Sequence, residues 1–95
     1  MSSGIAKNGA KPVFSVFSTF LQRAYDQLVQ DLSVNNNSAV IINHDASVYG
    51  MNDVTHLGFF DIPMLTSIPN LVYLAPTNNE ELLAMTEYAV HQEDR

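Results

Sequence analysis

The sequence predicts an α/β domain: a small parallel sheet built from βαβ units, with helices on both sides to give three αβα layers. Three observations carry this expectation. Two continuous apolar runs, Ala39-Val40-Ile41-Ile42 and Leu71-Val72-Tyr73-Leu74-Ala75, have the composition of strands covered on both faces. A third run, Val13-Phe14-Ser15-Val16-Phe17, is short, β-branched and aromatic. After the first and last of these strands the apolar spacing switches from strand-like to helical.

The elements follow in chain order. Gly4 to Gly9 reads as the last turn of a helix, with Lys7 near its negative end and Gly9 just past it. The body of such a helix is not in the chain, which suggests a fragment of something larger. Pro12 and Ser18-Thr19 bound the strand at 13–17. A helix is expected over about 20–33, where Leu21, Ala24, Tyr25, Leu28 and Leu32 share one face. Thr19 and Gln22 have capping-box spacing at its start. Asn35-Asn36-Asn37 ends it, because Asn tolerates turn and left-handed backbone.

The strand at 39–42 completes the first βαβ unit. A third strand at 71–75 runs parallel to it and is stopped by Pro76. Thr77 and Glu80 repeat the capping-box spacing before a helix over 79–91. That helix is expected to bury Leu82, Leu83, Met85, Ala89 and Val90.

Residues 43–70 form a long connection containing His44, Asp45, Tyr49, Gly50, Asn52, Asp53, His56 and Gly58. A short helix at 61–67 is expected within it, with Asp61 as cap and Pro63 in the first turn. Long connections in compact α/β domains are uncommon and usually functional. This one leaves the carboxyl end of a parallel strand, where such sheets place ligands.

Composition narrows the function. The 95 residues suit one small domain. Only 15 % are charged, against about 25 % in an ordinary domain. A chain so sparsely charged either hides much of its surface or works inside a larger assembly. Its net charge of −6 offers no basic footprint for nucleic acid and no attraction to an anionic membrane. The uncharged run 62–79 is broken by Pro63, Pro69 and Pro76 and cannot be a spanning helix. There is no signal-peptide pattern. With no cysteine, disulfides and thiolate metal sites are excluded. A cytoplasmic protein is the simplest expectation. No Gly-rich phosphate loop and no G-x-S-x-G motif occurs. His44, His56 and His91 lack the spacing of a two-histidine metal helix, so no metal site is expected.

Read singly, His56 is a loop histidine bonded to backbone. Arg23 is a surface arginine lying over its own stem, and Phe20 is a core side chain. Together the residues specify an α/β domain with a ligand loop after its second strand.

A resemblance carries the reading further. Phe17-Ser18-Thr19-Phe20-Leu21-Gln22-Arg23-Ala24-Tyr25-Asp26-Gln27 is similar to a characteristic segment of the 1-deoxy-D-xylulose-5-phosphate synthase family, thiamine-diphosphate enzymes of the transketolase class. Gly4-Ile5-Ala6 with Lys11-Pro12 resembles the approach to that segment. Thr55-His56, Gly58 and Phe60-Asp61 match the family's Thr-His-x-Gly-x-Phe-Asp. Ile68-Pro69-Asn70-Leu71-Val72 and Ala75-Pro76-Thr77 with Asn79-Glu80 resemble two later segments. The resemblance covers nearly the whole chain.

It implies that residues 1–95 are a single, incomplete pyrimidine-binding domain of a larger enzyme that moves a two-carbon unit from a keto acid or keto sugar to an aldehyde. In the family this chemistry feeds isoprenoid and thiamine precursors. Phe20 matches the residue that packs on the cofactor's aminopyrimidine, and Arg23 the active-site arginine, serving cofactor and substrate. His56 matches the histidine near the thiazolium carbon and is the implied catalytic residue, also lining the substrate pocket. Asn52 stands at the position of a substrate-binding aspartate, with Asp53 displaced by one. Thiamine diphosphate is the implied cofactor, with Mg2+ held by a domain this chain lacks. The glutamate that protonates the aminopyrimidine is expected upstream of Gly4. The implied partners are the remaining domains, a second copy in a homo-oligomer and small-molecule substrates.

The chain departs from the family at three positions. Phe17 replaces a tyrosine, Asp45 reverses the charge of a phosphate-binding arginine, and Asn52 replaces the aspartate. These departures support an alternative: a catalytically degenerate homologue acting as a ligand- or partner-binding module.

Overall fold

The computed structural model describes residues 1–46, 56 and 58–93. Helix α1 (Ser2–Lys7) ends as its sequence predicts. Gly9 adopts φ 88°, its N–H donates to the Ala6 carbonyl at 3.0 Å, and the Ala10 N–H donates to the Ile5 carbonyl at 3.3 Å. This pair of bonds is a Schellman closure, and its left-handed residue suits glycine.

Strand β1 (Val13–Phe17) passes directly into a helical run, α2, over 18–33. The run begins as an α-helix at Ser18–Leu21, tightens to a 3-10 turn at Gln22–Ala24 and returns to α at Tyr25–Gln27. It then widens to a π-helix at Leu28–Ser33. The expected Thr19–Gln22 capping box does not form. The helix starts one residue earlier, with Phe17 in extended backbone at its N-cap and no side-chain cap bond. Strand and helix abut, so Thr19 already lies within the first turn.

The asparagine run ends α2. Asn36 takes φ 51°, its N–H donates to the Ser33 carbonyl at 3.1 Å, and the Asn37 N–H reaches the Leu32 carbonyl at 2.9 Å. This is the same closure seen after α1, with Asn in place of Gly. The run also fastens its neighbours. Asn37 Nδ2 donates to the Ser3 hydroxyl on α1, and Asn70 Nδ2 donates to Asn36 Oδ1.

Strand β2 (Val40–His44) pairs with β1 in parallel, Val13 opposite Val40 through Phe17 opposite His44. The βαβ unit is thus formed. Side chains alternate across a strand, so Phe14, Val16, Ile41 and Asn43 share one face while Ser15, Phe17, Ile42 and His44 share the other. Val16 and Ile41 pack on a core of Leu21 and Leu28 from α2 with Leu65 and Ile68. Tyr25, on the same helix, remains partly exposed and shares a 2.9 Å hydrogen bond with Ser67.

Among the described residues the sheet has two strands, not the expected three. Residues 71–75 keep strand-like alternation: Leu71 and Tyr73 pack on the core while Val72 and Leu74 are exposed. Only one side of the run is covered, so the two-sided burial expected of this strand is not met, and no backbone ladder forms among the described residues. Pro69 and Pro76, which lack N–H donors, bracket the run.

The short helix in the long connection is α3 (Asp61–Thr66). Asp61 is its first residue rather than its cap, and makes no capping bond there. The last helix, α4 (Asn79–His91), is capped by Asn78, whose side chain accepts from the Glu81 N–H at 2.8 Å. Glu81 Oε2 in return accepts from the Thr77 N–H at 2.8 Å and the Thr77 hydroxyl at 2.7 Å. The predicted box is therefore displaced by one residue, because Asn78 outranks Thr77 as a cap.

Helix α4 does not bury the face assigned to it. None of its residues is buried, and Leu82, Leu83 and Val90 are exposed. Helical spacing reports an apolar stripe, not the element that covers it. No helix among the described residues is long and apolar enough to cross a membrane.

Candidate cofactor-binding site

Phe17 and His44 end the two parallel strands side by side, so the site begins at the carboxyl edge of the sheet. The immediate turn from β1 into α2 places Phe20 three residues beyond Phe17. Their rings meet edge to face, with centroids 6.3 Å apart and planes at 79°. His56 returns from the long connection to the same ring, its centroid 5.3 Å from that of Phe20 at an interplanar angle of 79°. Arg23, one helical turn after Phe20, sets its guanidinium carbon 5.7 Å from the Phe20 ring centre. That is within cation–π range.

The site's two flanks are two imidazoles. His44 lies 6.2 Å from Phe17, centroid to centroid, and its Nε2 shares a hydrogen bond with the Ser15 hydroxyl on the same sheet face. His44 was not among the expected site residues. Only the register of β2 against β1 reveals it, as the last residue of its strand opposite Phe17. Asp45, immediately after, adopts left-handed backbone at φ 56° and is half-buried.

Three of the five expected site residues, Phe20, Arg23 and His56, therefore converge. Asn52 and Asp53 lie outside the described residues. Among the described residues, no group of three or more acidic and histidine side chains is arranged to hold a metal ion.

The arrangement suits a flat aromatic heterocycle. Phe17 and Phe20 keep 52 % and 40 % of their surface exposed, although both rings would gain by burial. Cationic and imidazole donors border this apolar wall, so a ring placed on it finds hydrogen-bonding groups at its rim.

Comparison with known proteins assigns the chain to a family. The family model for the transketolase pyrimidine binding domain matches residues 1–95. The chain belongs to that family. It is similar to proteins named 1-deoxy-D-xylulose-5-phosphate synthase. It shares 46 % identity over 92 residues with the Clostridium acetobutylicum protein, covering 97 % of this chain and 15 % of that relative. For Clostridium tetani the figures are 44 % over 93 residues, covering 98 % and 15 %. For Natranaerobius thermophilus they are 41 % over 90 residues, covering 95 % and 14 %. The chain spans about 15 % of the length of the curated relatives it matches.

Proposed function

We propose that residues 1–95 serve as one incomplete domain of a larger thiamine-diphosphate-dependent transferase, of the kind its relatives are named for. The observation that carries this is the convergence of His56 on Phe20 at 5.3 Å, beside Arg23, at the carboxyl edge of a parallel pair. Phe20 is the apolar partner for the cofactor's aminopyrimidine. When bound, the cofactor supplies the carbanion chemistry of two-carbon transfer.

The chain's own groups bind and orient. Arg23 offers a fixed fork of donors to cofactor and to an anionic substrate. His56 holds or moves a proton at a ring nitrogen next to the reacting carbon. Asn52 and Asp53, on the same connection, complete the substrate contacts. The diphosphate and its Mg2+ belong to another domain of the assembly. The proposed partners are those domains, a second copy of the chain and the small-molecule substrates, and the proposed compartment is the cytoplasm.

The test is carboligation of a keto acid with an aldehyde by the full-length protein carrying this domain. Thiamine-diphosphate-dependent turnover is expected, and His56→Ala should lower kcat by at least tenfold with a smaller change in KM. Unchanged kcat removes His56 from the chemistry. A second reading, a catalytically degenerate binding module, is favoured by Phe17, which presents a 52 % exposed ring where the family has tyrosine. Cofactor binding without turnover by the wild-type protein would support it.

A further inference from the structure

The Asn43–Asp61 pair stands apart from the ring cluster. Asp61 is 2 % exposed. Its Oδ2 accepts from Asn43 Nδ2 at 3.2 Å, while its Oδ1 and the Asn43 Oδ1 are both buried without a hydrogen-bond partner among the described residues. A buried carboxylate with one hydrogen bond among the described residues is a poor device for stability alone. Its placement gives it another use.

Asn43 is the last residue but one of β2, opposite Val16 and adjacent to the Phe17–His44 pair that ends the sheet. Asp61 opens α3, whose Met64 and Leu65 pack in the core, and follows His56 by five residues. The bond thus joins β2 to the start of α3, the elements on either side of His56. One end is fixed to the sheet and the other to the core. A chain reaches at most about 3.3–3.6 Å per residue, so tying Asp61 to the sheet limits where His56, five residues before it, can stand. Tyr73 marks the core side: burial, then the negative charge of Asp61, raises the pKa of its phenol.

We infer that Asp61 is a positioning residue, whose bond to Asn43 ties the start of α3 to β2 and holds His56 against Phe20. This role goes beyond the functional reading and holds whether or not His56 takes part in chemistry.

The test uses the full-length protein carrying this domain, labelled with 13C at the histidine imidazole Cε1 and read at the domain's three histidines. The Phe20 ring current gives His56 a shifted signal, assigned with His56→Gln and Phe20→Leu. Asp61→Leu, which keeps the volume and removes the bond, is expected to move the His56 signal to its position in Phe20→Leu. His44 and His91 should stay in place, since His44 is held by Ser15 on the opposite sheet face. The exchange Asn43→Asp with Asp61→Asn, which restores one amide and one carboxylate, should return the His56 signal. Should Asp61→Leu not fold, Asn43→Leu breaks the same bond and is read against His91. A folded variant that leaves His56 in place overturns the inference. So does one that shifts every histidine alike, or a folded exchange that fails to restore the signal.

Discussion

Arg23 over Phe20 is an exposed cation–π contact, which contributes only about 0.5–1 kcal/mol. Arg23→Met should therefore cost no more than about 1 kcal/mol in denaturant unfolding while weakening substrate binding, and a larger loss of stability would show Arg23 to be a structural residue. Tyr73 makes a pH-dependent prediction. Its phenol pKa is raised, first by burial and then by Asp61, so the folded state holds the proton more tightly than the unfolded chain. That contribution is complete below the ordinary phenol value of about 10 and is lost as pH rises through the folded value. Tyr73→Phe should remove this part of the alkaline loss, measured by unfolding at pH 9 and 11. At this scale the sequence made Phe20, Arg23 and His56 legible because they sit in recognisable motifs. His44 was hidden, since its place depends on strand register. Asp61 was misread as a cap, because helix-start spacing does not show that a carboxylate is buried against Asn43.

At the level of elements, closures were more legible than coverings. Gly9 and Asn36 announce their left-handed stops from residue type alone. The third strand and the buried face of α4 were not legible, because a ladder and a covering surface require partners that local spacing does not name. The cap of α4 can be tested through Glu81, whose carboxyl is held below the usual range by hydrogen bonds from the Thr77 hydroxyl and backbone. A depressed folded pKa stabilises above the unfolded value and is lost as pH falls through the folded one. Helicity of α4 should therefore decline below about pH 4.5, followed by circular dichroism, and Glu81→Gln should abolish that acid-dependent part. Because Leu83 is 72 % exposed, Leu83→Ala should leave the stability of the unassociated chain within about 0.5 kcal/mol.

Among the described residues, large apolar side chains are exposed on one sheet face, at Val13, Phe17 and Ile42, and along α4, at Leu82, Leu83 and Val90. Contiguous exposed apolar surface marks interaction sites. Light scattering at high concentration should accordingly show a dimer or larger species, and a strict monomer would contradict that expectation. We propose that the Phe17–Phe20 wall receives the cofactor's pyrimidine. Calorimetric titration of thiamine diphosphate into the full-length protein carrying this domain tests it most directly. Stacking on an aromatic side chain contributes about 1–3 kcal/mol, so Phe20→Ala should weaken binding by roughly 5- to 150-fold. Equal affinity of wild type and Phe20→Ala would contradict the account.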